Sequence, residues 1–241
     1  MAELTGATLL LGSATPSIES YFAAQSGRYH LLELHERVTK TPMPRVEIVD
    51  MRNELHKKNF SIFSERIREK IAETLARNEQ TILFINRRGY APAVICRDCG
   101  FTVRCEECRV AMVLHVSGML CHHCGKTTFP PVICPQCEST HIRSVGVGTQ
   151  RVEDEIQKLF SRARVHRADS DTTKKRDDYN ELYKKLKSHE IDILIGTQMI
   201  AKGLDLPKVQ LIGVMLADTS LNFPDFRAAE RTFQLLTQVA G

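Results

Sequence analysis

Apolar positions along this chain follow two periods. Residues 9–11 (LLL), 81–85 (TILFI), 191–195 (IDILI) and 209–217 (VQLIGVMLA) are short, mainly apolar runs. Such runs read as strands covered on both faces. Residues 45–50 (RVEIVD) read as another strand, reached through the Pro-flanked TPMP, and residues 164–168 as one more. Between the strands the period lengthens to that of a helix. Ile67, Ile71 and Leu75 stand four apart within residues 61–78, and Tyr179, Leu182, Tyr183 and Leu186 follow i, i+3, i+4, i+7. SVGVGTQRVEDEIQKLF reads strand, glycine turn, helix, with Thr149 as the N-cap and Glu153, Asp154 and Glu155 favouring the positive end of the helix dipole. FRAAERTFQLLTQVAG reads as a last helix. Strands alternating with helices predict an α/β fold on a parallel sheet. Ligands of such sheets gather in loops at the carboxyl ends of strands. GSATPS, NRRGYA, GVGTQR and GTQMIAKGLDLP are expected there.

Composition narrows the function classes. The 241 residues suit one large domain or two small ones, and 42% hydrophobic content is enough for a buried core. A net charge of +4 permits a nucleic-acid partner without demanding one. No run approaches the ~18 to 20 apolar residues of a membrane span. The opening MAELTGATLLLGSATPS lacks the basic n-region of a secretory signal. A cytoplasmic protein with no membrane partner is the expectation.

All eight cysteines lie between positions 96 and 137, as four C-x-x-C pairs: Cys96/Cys99, Cys105/Cys108, Cys121/Cys124 and Cys134/Cys137, with gaps of 5, 12 and 9 residues between pairs. Each pair turns two thiolates toward one point, and two pairs supply the four soft ligands of tetrahedral zinc. Gly100 and Gly125 follow their pairs directly, where a positive φ lets backbone amides face the sulfurs. Two structural zinc ions with no open coordination position are expected. Four disulfides fit poorly with the missing signal and the large cysteine-free remainder. Four dithiols within 42 residues are also too many for one redox centre. His122 and His123 could stand in as ligands, but with eight thiols present they read as surface residues. Four pairs can share two ions in three ways. Sequential sharing needs only short loops, whereas nested sharing brings both ends together, as an insertion requires; spacing leaves the choice open.

The strand-end loops carry groups that suit phosphates. GTQMIAKG offers backbone amides, hydroxyls and Lys202, and Arg87 and Arg88 adjoin Tyr90. Residues 162–187 carry nine Lys or Arg against five Asp or Glu; within them residues 174–187 interleave acids with bases and read as a solvated charged helix face. The sequence holds no G-x-x-x-x-G-K-[ST] and no DExH. This chain by itself is not expected to hydrolyse ATP.

In order, these motifs resemble those of the superfamily 2 helicases, and specifically the bacterial replication-restart helicases. GSATPS looks like motif III, TILFINRRGYA like motif IV, VGVGTQRVEDEI and HRADSDTT like the blocks that follow, ILIGTQMIAKGLDLP like motif V, and QVAG like the start of motif VI. The eight-cysteine insertion at this point is the most specific feature of the likeness, which covers essentially the whole chain.

The resemblance implies a RecA-like parallel-sheet lobe with an inserted double zinc-ribbon module. Residues 1–40 would end lobe one, 41–58 would link, 59–95 and 142–241 would form lobe two, and 96–141 would be the zinc insertion. Walker A and DExH lie upstream of motif III in that family and the arginine finger lies in motif VI, so the chain reads as a piece of a longer protein. By position, Ser13 and Thr15 would couple nucleotide state to lobe movement. Gly203, Asp205 and Gln238 would face nucleotide. Arg87, Arg88, Thr197, Gln198 and Lys202 would meet DNA. The zinc pairing would be nested: Cys96, Cys99, Cys134 and Cys137 on one ion, Cys105, Cys108, Cys121 and Cys124 on the other. The parent protein would use ATP and Mg²⁺ to move 3′ to 5′ along DNA, restart stalled forks and start primosome assembly. Its partners would be single-stranded and forked DNA, other primosome proteins and single-strand-binding protein. A different class stays open: a non-catalytic zinc ribbon that docks DNA or a replication protein, marked by salt-dependent, nucleotide-independent binding. A zinc hydrolase is disfavoured, because four thiolates leave no site for water.

Overall fold

Strand β1 (Gln80–Ile85) is buried along its whole length in the computed structural model of the chain, which describes residues 2–35, 42–85, 93–145, 148–168, 176–197, 206–223 and 225–240. It lies between two parallel neighbours, β8 (Ile193–Gly196) and β9 (Val209–Met215), while β7 (Val165–Ala168) pairs with the far side of β8. The order is β7-β8-β1-β9. Side chains alternate across this sheet with period two. Leu83, Ile85, Ile193 and Ile195 pack with Ile71 of α4 (Glu65–Ala76) and with Val152 and Ile156 of α5 (Thr149–Leu159). Ile82 and Leu194 pack on the other face with Leu182 and Leu186 of α6 (Arg176–Lys187). Helices on both faces of the sheet explain why its two inner strands, β1 and β8, are buried along their whole length and read as apolar runs.

Local chemistry sets the helix ends. Ser64 caps α4 by accepting from the N–H of Ile67 at 3.2 Å, and Asn78 turns the chain away with φ 55°. The helix is therefore shorter than residues 61–78. On the facing strand, a Cβ at Gly213 would come within 2.9 Å of Ile67 Cδ1 and 3.0 Å of Leu83 Cδ2, so glycine is what lets α4 lie this close. Gln80 is buried at the head of β1, and its Nε2 donates to the carbonyls of Leu186 (3.0 Å) in the last turn of α6 and of Ile191 (2.6 Å) just before β8.

A second, antiparallel sheet carries the cysteines. Its strands are β2 (Ala93–Cys96), β3 (Val113–His115), β4 (Gly118–Leu120), β5 (Thr127–Thr128) and β6 (Ile142–Val145), in the order β5-β4-β3-β2-β6. Register runs from Ala93↔Val145 to Cys96↔Ile142, so the segments entering and leaving this unit form a two-strand stalk. Val94, Val103, Met112, Met119 and Ile142 bury themselves with Cys96, Cys105, Cys121 and Cys134 in one core.

Four expectations are corrected here. Residues 9–11 form no strand: Leu9, Leu10 and Leu11 are exposed, and among the described residues none pairs with them. Residues 45–50 form none either; Val46 and Ile48 face solvent, and Asp50 instead caps the short helix α3 (Met51–His56) through the N–H of Arg52. An apolar run becomes a strand only when a neighbour takes its backbone hydrogen bonds. The strand of SVGVG is β6, which joins the cysteine sheet rather than the parallel one, so GVGTQR and GSATPS do not follow strands of the parallel sheet. Thr149 is the first residue of α5, not its cap; that position belongs to Gly148, with no side-chain cap.

The remaining helices are α1 (Ala2–Thr5), α2 (Ile18–Gln25) and α7 (Ala228–Ala240). Ser17 caps α2 by accepting from the N–H of Ser20 at 3.1 Å. No described helix is long and apolar enough to cross a membrane.

Candidate metal centres and strand-end residues

The four C-x-x-C pairs fold into the same loop. In each, the residue after the second cysteine donates its N–H to the carbonyl of the first: Gly100 to Cys96 (2.9 Å), Arg109 to Cys105 (2.9 Å), Gly125 to Cys121 (2.8 Å) and Glu138 to Cys134 (2.9 Å). In each, the N–H of the first cysteine donates two residues past the second, to Phe101, Val110, Lys126 and Ser139. All four closing residues have positive φ, at 80°, 60°, 80° and 58°. Two of them are glycines, as the sequence suggested; Arg109 and Glu138 adopt the same left-handed turn without that freedom. Their position one past each pair is the signal that would have found them.

The loops meet in two groups of four. The sulfurs of Cys96, Cys99, Cys134 and Cys137 lie within 4.8 Å of one another, as do those of Cys105, Cys108, Cys121 and Cys124. Individual Sγ–Sγ separations are 3.6 Å for Cys96–Cys137, 3.6 Å for Cys99–Cys134 and 3.7 Å for Cys105–Cys124. A tetrahedron with metal–sulfur bonds of about 2.3 Å has edges of about 3.8 Å, so these donors fit one soft ion per group. The grouping is nested. The stalk explains it: β2 delivers Cys96 beside β6, which leads away from Cys134 and Cys137.

Proton sharing among the thiols shows how much a cation would change. Hydrogen bonding to Cys124, together with burial, pushes the Cys108 thiol up to about 12. The N–H of Cys124 holds Cys121 down at about 7. At Cys134, burial is overcome by the N–H groups of Gln136 and Cys137, which also leave it at about 7. Cys137, despite the N–H of Ser139, is pushed up to about 12 by burial and its neighbouring thiols. Four sulfurs this close cannot all ionise unless a cation sits between them.

Polar clamps tie the partnered loops together. Asp98 of the first loop accepts from Ser139 Oγ and meets His141 Nδ1 at 2.9 Å, next to the fourth. The Ser139 hydroxyl holds the Asp98 carboxyl below its ordinary range. Lys126 after the third loop reaches Glu106 at 2.9 Å and Glu107 at 3.4 Å in the second. None of these contacts was read from the sequence, since the partners are distant along the chain. His122 and His123 stand outside both four-sulfur groups and are exposed; His123 Nδ1 lies 3.2 Å from Cys108 Sγ.

The other residues singled out from the sequence divide in two. Arg87, Arg88, Gln198, Lys202, Gly203 and Asp205 lie outside the described residues. Thr197 is half-buried directly beyond β8. Because Phe84 pairs with Gly196 in parallel, β1 and β8 end side by side, at Ile85 and Gly196. Ser13 Oγ accepts from the N–H of Thr15 at 3.1 Å, and Thr15 Oγ1 accepts from Gln238 Nε2 at 3.0 Å.

Comparison with known proteins gives the context of this arrangement. The Helicase conserved C-terminal domain family matches residues 134–238. Replication restart protein PriA of Bacillus subtilis (strain 168) is 51% identical over 242 residues, covering 100% of this chain and 30% of that protein. PriA of Synechocystis sp. is 44% identical over 250 residues, with 100% and 30% covered. PriA of Treponema pallidum is 42% identical over 234 residues, with 96% and 35% covered. The chain thus spans about a third of the length of the curated relatives it matches. With a helix-covered parallel sheet, a cysteine unit set between β1 and α5, and these full-chain likenesses, the chain belongs to the PriA family of superfamily 2 helicases.

Proposed function

We propose that this chain is the second RecA-like lobe, with the end of the first, of an ATP-dependent helicase that moves 3′ to 5′ on single-stranded DNA in the cytoplasm. The whole protein restarts stalled replication forks and initiates primosome assembly, using Mg²⁺ with ATP. The reading rests on one observation above all: two nested four-thiol groups stand on a stalk interrupting a parallel sheet, in a chain matched over its full length by replication restart proteins. The domain limits follow the resemblance: 1–40 ends lobe one, 41–58 links, 59–95 with 142–241 makes lobe two, and 96–141 is the insertion.

Each four-thiol group holds one Zn²⁺, and the ion supplies rigidity rather than reactivity, because four thiolates leave no place for water. Folding of such a unit is largely metal binding, so the module is a firm knob on a two-strand root. Placed at a fork junction it separates strands as a wedge, and its outer surface meets other primosome proteins or single-strand-binding protein. Arg87, Arg88, Thr197, Gln198 and Lys202 contact DNA phosphates; in the sequence they follow β1 and β8, whose carboxyl ends lie side by side, and such strand ends are the usual ligand edge of parallel sheets. Gly203, Asp205 and Gln238 face nucleotide. Ser13 and Thr15 relay its state, a role supported by the bond from Gln238 to Thr15.

The test is unwinding of forked DNA by the complete protein. ATP- and Mg²⁺-dependent opening of a fork with a 3′ single-stranded path is expected, with no opening when only a 5′ path is offered. Cys96→Ser should impair unwinding more than DNA-stimulated ATP hydrolysis; equal loss of both counts against the wedge. Absence of ATP-dependent unwinding on any fork would overturn the helicase reading. Salt-sensitive binding without nucleotide dependence would then favour a docking module.

A further inference from the structure

The consecutive histidines of the third cysteine loop point to different partners. His123 turns toward Cys108 Sγ, while His122 Nε2 lies 3.1 Å from the Nε2 of His115. His115 ends β3 and pairs with Gly118 across the hairpin, so its ring hangs at the tip. The two rings are tilted by 60° with centroids 5.2 Å apart, and both residues are exposed. Two imidazole nitrogens bound to one ion at about 2.0–2.1 Å stand about 3.3 Å apart on a tetrahedron and about 2.9 Å apart on an octahedral edge. The observed separation falls between these values, so the two nitrogens stand at the spacing that one shared ion requires.

We propose that His115 and His122 form a third metal site, open to solvent, for a divalent ion of the zinc class. Neutral imidazole is a borderline ligand suited to Zn²⁺, Ni²⁺ and Cu²⁺. Two protein ligands leave the remaining positions to water, in contrast to the closed four-thiol groups. An ion held here staples the β3–β4 hairpin tip to the third cysteine loop and stiffens the outer end of the module. The site is counted only after the thiol groups are filled, so it rests on their reading as zinc sites. The rival account of the same distance is a plain N–H···N hydrogen bond between neutral rings.

The experiment uses the full chain loaded with zinc, freed of excess ion, and titrated with Ni²⁺ by calorimetry while both metals are counted by emission spectroscopy. The expected result is one nickel per chain with two zinc retained. His115→Asn should keep two zinc and bind nickel at least tenfold more weakly, and His122→Gln should match it. No nickel beyond the zinc complement, or nickel binding unchanged in His115→Asn, would overturn the proposal. A zinc count below two in the unaltered chain would speak against the thiol sites separately, since the histidine site is judged by the difference between the unaltered chain and His115→Asn.

Discussion

Gln238 Nε2 donates to Thr15 Oγ1 at 3.0 Å, joining the last turn of α7 to a segment 223 positions earlier. It is one of a row. Gln234 donates to the Pro16 carbonyl at 3.3 Å, Glu230 accepts from the N–H of Ile18 at 2.9 Å, and Arg227 pairs with Glu19. Glu230, Gln234 and Gln238 are four apart, so one face of α7 carries three of these contacts. If the bond relays nucleotide state, Thr15→Ala and Gln238→Ala should each lower DNA-stimulated ATP hydrolysis in the complete protein. The double variant should be no worse than the worse single one. Losses that multiply would show that the two side chains act independently.

Nested grouping predicts a specific metal count. Replacing Cys96 and Cys134 together by serine should leave one bound zinc, because both belong to one group. Replacing Cys96 and Cys105 together should leave none. Sequential sharing predicts the reverse pattern, so metal analysis of the two double variants decides between them.

Metal loading should release protons. Cys108 and Cys137 lie at about 12 in the metal-free groups, so near neutral pH their thiols must lose protons to become ligands. The loaded fold then binds fewer protons than the unfolded chain, and its stability rises with pH and falls on acidification. Calorimetry of zinc binding in buffers of different ionisation enthalpy should report net release of protons at pH 7; net uptake would contradict the thiolate ligand set.

Gly213→Ala should destabilise the fold by about 1–3 kcal/mol, the usual range for overpacking a close contact. The new methyl on β9 would meet Ile67 Cδ1 of α4 at 2.9 Å and Leu83 Cδ2 of β1 at 3.0 Å. Chemical denaturation measures it. An unchanged midpoint would mean that α4 moves away freely.

Much of this protein is written in local pattern. The continuous apolar run of TILFI marked a central strand, and Ile71 marked the buried stripe of α4, because burial on both faces or on one leaves its period in the sequence. The C-x-x-C spacing marked the metal ligands, since two residues between cysteines are what a sulfur-presenting loop requires. What that spacing left open was which pairs share an ion, and the stalk from Ala93↔Val145 to Cys96↔Ile142 settled the grouping of the sulfurs. Tertiary structure also decided that LLL at residues 9–11 and RVEIVD at 45–50 are not strands. An apolar run records a side chain's preference, but a strand exists only where another backbone lies alongside to take its hydrogen bonds. The same reason hid the Asp98 clamp, the His115–His122 pair and the Gln238–Thr15 bond, whose partners meet only after the chain has folded.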